Sequence, residues 1–363
     1  MGQRRGSPAP AFLPDNDDIL LEILLRLPPL PSSLPRASLV CKRGRRLLSD
    51  PDFLRRFRAH HRKPPILGFF AVDFFNHDGP IPVFTPTLAA PDRIPPARFS
   101  FPNQPDECLL FNYSKSVCSS SGCRHGLALL FNRSKLEAVV WDPITGLRLS
   151  TALPPEMKRN YRHRHLKFDM YNGAVMGNCC SGAFKVVMVF TNALYGLAWA
   201  CLYDSESGKW GNIISTAVPS STSLAQPSIL VGNAVCWLLH IEWGGVLRFD
   251  TDKQSLDVVK IPEDIHVTND SRVDLLRTVD GGLGIAILSK QIIQLWGQTA
   301  VSDHVVTWVL QKTIELDKFI SLSPSVETQP TTIVGFDEDN NVIFLWTTIG
   351  LGIDGGDDSF EIL

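Results

Sequence analysis

The sequence predicts a small all-α N-terminal unit followed by a large all-β domain, an irregular β-propeller of about six or seven blades. Three observations predict it. The stretch up to about residue 60 carries short apolar helices bounded by acids and prolines. From residue 66 the apolar runs shorten to strand length, and Gly, Asn, Asp and Ser punctuate them. Along those strands one kind of ending recurs: an apolar or aromatic residue, then Asp, then a polar turn.

Residues 1–11 are expected to be a disordered leader, and residues 12–60 a helical domain. The helix over Ile19–Leu27 organises it. Asp17 and Asp18 stand at its start, where carboxylates satisfy free N–H groups and suit the helix dipole. Pro28 and Pro29 stop it. Seven of the nine residues from Ile19 to Leu27 are Leu or Ile; Glu22 and Arg26 are the polar ones, spaced i, i+4. A helix apolar nearly all round needs cover on two sides, and so small a unit cannot enclose it. One side therefore packs locally and the other meets a partner protein. A second helix starts near Ser33 or Leu34, with Pro35 tolerated in the first turn. A third spans Lys42 to Leu48. Asp50-Pro51 reads as an N-cap and first helical residue opening a last helix through Phe53, Leu54 and Phe57.

Residues 66–363 read as the β domain. Ile66–Val72 is a first strand, and the Pro-rich passage from Gly79 to Pro105 reads as loop. Leu127–Phe131 pairs with Glu137–Trp141, and Phe184–Phe190 with Gly196–Tyr203. Ile229–Val231 and Ala234–Trp237 are separated by Gly232-Asn233 alone, a hairpin signal. Leu283–Leu288, Ile292–Trp296, Val305–Leu310, Thr332–Phe336 and Val342–Trp346 continue the series, and no amphipathic helix of useful length is expected after residue 60. The recurring aspartates are Asp142, Asp204, Asp250 and Asp337, separated by 62, 46 and 87 residues. With ~40–50 residues per four-stranded blade, that is one irregular step, one regular step and one skipped blade. Each aspartate is expected to accept backbone N–H bonds within its own turn.

The net charge of −2 hides an asymmetry: residues 1–63 hold 13 Lys and Arg against 6 Asp and Glu, and the remainder 22 against 31. A basic end can mean nucleic acid, but no aromatic residues interleave the charges as base-stacking requires. The charges read instead as solvated helix faces or as the complement of an acidic partner. No apolar run approaches a membrane span, so neither nucleic acid nor membrane is an expected partner. The eight cysteines lack the paired C-x-x-C spacing of a zinc-bound module and read as reduced, mostly buried thiols. Cys118-x4-Cys123-Arg124-His125 is the nearest to a metal motif, and it brings three ligands at a spacing no common zinc knuckle uses. Cys179-Cys180 reads as incidental, His163 and His165 as part of a solvated basic loop, and Asp354-Gly355-Gly356-Asp357-Asp358 as a polar turn without the ligand order of an EF-hand. Gly281-Gly282-Leu283-Gly284 precedes a strand rather than a helix and reads as a turn. No catalytic residue, cofactor site or metal site is expected.

Leu13-Pro14, the Ile19–Pro28 helix, Arg36–Arg43 and Arg45–Phe53 together resemble an F-box in order, spacing and residue type. One departure is Gly44, where that family usually carries tryptophan. The resemblance implies packed helices that dock on the Skp-type adaptor of cullin-based ubiquitin ligases. It implies adaptor contacts by Leu13, Pro14, Ile19, Leu20, Ile23, Leu24, Leu27, Pro28, Leu39, Val40, Cys41, Leu47 and Leu48. Leu20, Ile23, Leu24 and Leu27 are expected half-covered in the free chain. Without the tryptophan, a looser F-box is expected, with Leu39, Leu47 and Leu48 closing part of the gap. Trp141–Gly146, Val231–Trp237 with Leu247–Asp250, and Thr307–Leu310 resemble, more loosely, the propeller that follows the F-box in a large plant family. The function implied is a non-catalytic substrate receptor of a Skp–cullin–F-box ligase, cytoplasmic or nuclear, whose propeller holds an unidentified protein target. The alternatives are an F-box scaffold acting outside a ligase and a propeller with its own small-ligand or sugar site.

Overall fold

The computed structural model describes residues 16–61, 63, 65–73, 81–99, 109–110, 123–132, 135–162, 169–177, 182–192, 195–219, 224, 227–239, 245–262, 265, 271–302, 305–318, 331–348 and 358–362. It divides into two compact units, residues 1–68 with 86–94, and residues 69–85 with 95–363.

The first unit is helical: α1 (Asp17–Leu25), α2 (Ser33–Ser38), α3 (Lys42–Leu48) and α4 (Pro51–His61). Asn16, rather than either aspartate, caps α1, its side chain accepting from the Asp18 N–H. That leaves Asp17 to pair with Arg43 and Arg46, tying the start of α1 to α3. Glu22 meets Arg56 of α4 rather than Arg26. Asp50 caps α4, accepting from the Asp52 N–H at 2.9 Å. Leu20, Leu24, Leu25, Leu48, Phe53 and Phe57 form the core, with Leu21, Leu27, Leu34, Ala37, Leu47 and Leu54 packed around it. Residues 86–94 belong with this unit and not, as the sequence pattern suggests, with the β domain. Their Asp92 carboxylate accepts from the Ser32 N–H at 2.8 Å.

The second unit is a β-propeller. Strands β1 (Gly68–Asp73) and β2 (Ile81–Pro86) form a two-stranded sheet. Here the passage expected to be loop contains a strand. Five larger sheets follow in chain order. The first has β3 (Leu109–Leu110), β4 (Cys123–Arg124), β5 (Leu127–Asn132), β6 (Glu137–Trp141) and β7 (Arg148–Ala152). After helix α5 (Pro155–Arg162), which the sequence reading did not anticipate, the second has β8 (Asp169–Gly177), β9 (Phe184–Asn192), β10 (Leu197–Asp204), β11 (Lys209–Trp210) and β12 (Ile214–Ala217). The third has β13 (Ile229–Val231), β14 (Ala234–Leu238), β15 (Gly245–Asp250) and β16 (Ser255–Lys260), and the fourth β17 (Arg272–Arg277), β18 (Leu283–Ser289), β19 (Ile292–Ser302) and β20 (Val305–Glu315). The fifth has β21 (Thr332–Asp337), β22 (Val342–Thr348) and β23 (Asp358–Ile362).

These sheets are antiparallel meanders. Successive apolar clusters lie between the first and second, second and third, third and fourth, and fourth and fifth. The two-stranded sheet supplies the link from last to first: Phe69 lies 5.3 Å from Phe344 of β22, and Phe70 lies 5.9 Å from Trp141 of β6. Six sheets among the described residues thus stand beside an expectation of about six or seven blades. The Gly232-Asn233 hairpin forms in the expected register, Val231 opposite Ala234, with Gly232 at φ +58°, a conformation that glycine adopts without Cβ strain.

All four aspartates make the expected turns. Asp142 accepts from the Ile144 and Thr145 N–H groups, Asp204 from Glu206, Asp250 from Asp252 and Lys253, and Asp337 from Asp339. Asp204 and Asp250 end, and Asp142 directly follows, the third strand along the hydrogen-bonded path of consecutive sheets. Asp337 ends the first strand of its sheet, so the fourth member is not an equivalent of the other three.

Candidate functional site

The helical unit leaves large apolar side chains outward. Ile19 (53 %), Ile23 (49 %), Leu39 (74 %) and Val40 (70 %) are exposed. The helix period explains the split along α1: Leu20, Leu24 and Leu25 turn inward, and Ile19 and Ile23, one turn apart, turn out. Leu39 and Val40 immediately precede α3, which the Asp17–Arg43 pair draws to the start of α1 at 2.6 Å.

This divides the residues assigned to adaptor contact. Ile19, Ile23, Pro28, Leu39 and Val40 are exposed, and Leu27, Cys41 and Leu47 are half-buried. Leu20 and Leu24 were expected half-covered; they are 2 % and 8 % exposed and pack on Leu48, Phe53 and Phe57. They and the buried Leu48 hold the helices together and present no surface to a partner. Leu13 and Pro14 lie outside the described residues. Leu39 points outward and closes no gap near Gly44. Gly44 is buried, its N–H donates to Cys41 Sγ at 3.2 Å, and an added Cβ would rest 3.5 Å from that sulfur and 3.6 Å from the Ala37 carbonyl. The position has room for a methyl in ordinary contact.

The propeller places its buried charges where the inner strands end. Arg124 of β4 lies 9 % exposed against Glu338, 14 % exposed, just past β21. The guanidinium donates to both Glu338 oxygens, at 2.7 and 2.5 Å, and to the carbonyls of Ser228 at 3.0 Å and Val175 at 3.4 Å. Glu338 Oε1 also accepts from the Leu230 N–H at 2.6 Å, and its carbonyl accepts from Arg277. Burial by itself lowers the Arg124 pKa; the Glu338 carboxylate more than offsets this and holds it above its ordinary value. One ion pair therefore joins groups from all five larger sheets: Arg124 from the first, Val175 from the second, Ser228 and Leu230 from the third, Arg277 from the fourth and Glu338 from the fifth. The sequence offers no signal for this partnership, since 214 residues separate the two charges.

Asp274, on the first strand of the fourth sheet, is a second unusual acid. It shares a face with Leu276 and Ala286, which belong to the apolar cluster between the fourth and fifth sheets. Burial pushes its carboxyl up to about 8, with Arg272 pulling the other way.

Of the sequence constellations, Cys118, Cys179-Cys180, His163, His165 and residues 354–357 lie outside the described residues, and Asp358 opens β23 opposite Thr348. Cys123 is exposed, and His125 Nδ1 accepts from the Gly177 N–H at 3.2 Å. Among the described residues no three His, Cys, Asp or Glu side chains gather as a metal site. Burial pushes the Cys201 and Cys236 thiols up, whereas Cys41 is half-buried, so the thiols are of both kinds. Gly281 turns at φ +85° between β17 and β18, the turn expected there. Among the described residues no helix is long and apolar enough to cross a membrane.

Comparison with known proteins bears on both units. Residues 16–56 match the F-box domain family, and residues 120–350 match the family described as F-box protein AT5G49610-like, beta-propeller. No curated protein matches. Distant likeness extends to a number of solved structures, among them the following three. A protein described as a dipeptidyl aminopeptidase IV from Bacteroides ovatus is 8 % identical, with TM-score 0.32 over 77 % of this chain and 33 % of that one. The β-propeller domain of the Trilobed protease from Pyrococcus furiosus is 11 % identical, with TM-score 0.29 over 65 % and 78 %. Kluyveromyces lactis Hsv2 is 10 % identical, with TM-score 0.23 over 53 % and 84 %. The chain thus spans about a third of the length of the first of these. F-box domains generally bind Skp-type adaptors, and the propeller match covers well over half of the sequence. The chain belongs to the F-box proteins with an AT5G49610-like β-propeller.

Proposed function

We propose that this protein is a non-catalytic substrate-recognition subunit of a Skp–cullin–F-box ubiquitin ligase, acting in the cytoplasm or nucleus. The outward face of α1 with Leu39 and Val40 binds the Skp-type adaptor, and through it the cullin. The propeller holds a protein target. The chemistry belongs to the ubiquitin-conjugating machinery that the cullin carries. What this chain adds is proximity: tethering raises the effective concentration of target lysines near the charged enzyme. The observation that carries the reading is the exposure of Ile19, Ile23, Leu39 and Val40 on a unit whose own core is already filled by Leu20, Leu24, Leu48, Phe53 and Phe57. Four large apolar side chains left outward on so small a unit mark a protein-binding face.

Co-purification of the full chain from cells with a proteasome inhibitor present tests this. The expected result is retention of both a Skp-type adaptor and a cullin. Adaptor without cullin would favour a scaffold working outside a ligase. Neither partner would overturn the reading.

A further inference from the structure

The outward face carries information about the chemistry of its partner. Residues 1–63 hold 13 Lys and Arg against 6 Asp and Glu. In the fold, most of those acids are already engaged. Asp17 pairs with Arg43 and Arg46, Glu22 with Arg56 and Asp52 with Arg55, and Asp50 caps α4. Four of the remaining cations lie within a few residues of the exposed apolar side chains. Arg26 follows Ile23 by three residues at the end of α1, and Arg36 precedes Leu39 by three on α2, spacings that share one side of a helix. Lys42 follows Val40 by two and opens α3, with Arg45 one turn on. All four are exposed, and none has a carboxylate partner among the described residues.

We propose that this face accepts an acidic partner surface, an apolar ridge flanked by carboxylates, on the Skp-type adaptor. The inference rests on the adaptor-binding reading above and adds the charge of the surface that fits. An apolar centre with a basic rim divides the work of binding. The centre is dehydrated in the complex and sets how slowly it dissociates. The rim stays wet, and its charges act over a Debye length on the encounter, raising the association rate at low salt. A nucleic acid is the other polyanion that a basic face attracts, but the aromatic rings Phe53 and Phe57 of this unit are buried and offer no stacking platform.

The test measures association and dissociation rates of the full chain with a purified Skp-type adaptor. Between about 0.05 M and about 0.5 M NaCl the association rate constant is expected to fall about tenfold, and the dissociation rate constant to change less than about twofold. The double variant Arg36→Glu/Lys42→Glu is expected to associate about tenfold more slowly, with a flattened salt dependence. Lys312→Glu, exposed on β20 of the propeller, is expected to match the wild type. Binding that persists with an association rate indifferent to both salt and the double substitution overturns the acidic-partner inference and leaves the adaptor reading standing. Tighter binding to a mixed-sequence DNA oligonucleotide than to the adaptor at about 0.15 M salt also overturns it. A wild-type chain that does not bind the adaptor at all overturns the underlying reading, and this inference with it.

Discussion

In the helical unit Ile19, Ile23, Leu39 and Val40 are exposed, and several cations near them in the chain have no carboxylate partner among the described residues. In the propeller the reverse holds: Arg124 and Glu338 are turned inward, and every major acceptor around them belongs to another sheet. The difference is partly one of size. A short four-helix unit has too little interior to bury an α1 that is apolar nearly all round. The propeller has four successive inter-sheet clusters, enough to surround a charged pair and satisfy it by backbone groups. One unit leaves large apolar side chains in water; the other encloses its charges.

The largest expected effect breaks the propeller side of this contrast. Arg124→Met leaves the Glu338 carboxylate buried without its cation. Removing one partner of a buried pair costs about 3–5 kcal/mol. Chemical denaturation of the full chain should show a loss of that order in the β-rich transition. Replacing both charges, Arg124→Met with Glu338→Leu, should recover most of it, because neither residue then leaves an unpaired charge. An unaltered midpoint in the single variant means that the ring is not held from its centre.

Asp274 gives a smaller, pH-dependent effect. Its folded carboxyl titrates at about 8, against the ordinary 3.8. The folded state therefore keeps a proton that the unfolded chain releases, so stability falls as pH rises through the interval between those values and levels off above it. Asp274→Asn removes that decline. The variant should match the wild type near pH 4 and exceed it by about 1–3 kcal/mol near pH 9, a rise of several degrees in melting temperature. A parallel pH profile for the two proteins would show that Asp274 ionises freely.

The smallest effect sharpens the helical side. Gly44→Ala places a methyl in ordinary contact with Cys41 Sγ and the Ala37 carbonyl, within α3. The gain expected from helix propensity alone is about 0.5–1 kcal/mol, read as a higher melting temperature of the helical transition. A loss instead would mean that the helices around residue 44 have no room for even one carbon.

Much of this architecture was legible in the sequence. Lys42–Leu48 is helical at its expected bounds, because Cys41 and Ser49 bracket an unbroken run of residues other than proline. Asp50-Pro51 announces α4 through a local hydrogen bond, and Gly232-Asn233 announces its hairpin through a backbone conformation. All of these act over a few residues. The outer strands were missed for a physical reason. Arg148–Ala152 is nearly all exposed and has no apolar alternation, and Ser255–Lys260 alternates only through Leu256 and Val258 and is at most half-buried, so pairing with β6 and β15 makes them strands. The inward turn of Leu20 and Leu24 is a matter of helix phase relative to Phe53 and Phe57, and a run of Leu and Ile on both faces conceals that phase. Arg124 stood in the sequence as a neighbour of Cys123 and His125, with nothing to point to an acid two hundred residues away.

The central claim is that the outward face of α1 is an attachment surface and its inward face is core. The most direct measurement is the affinity of the full chain for a purified Skp-type adaptor, compared between wild type and Ile23→Asp, with melting curves for both. Ile23 is 49 % exposed, so the substitution should leave the melting temperature within a degree or two. In the complex it buries an unpaired carboxylate, which should weaken binding by several kcal/mol, a loss of a hundredfold or more. Unchanged affinity in a folded Ile23→Asp chain would contradict the account.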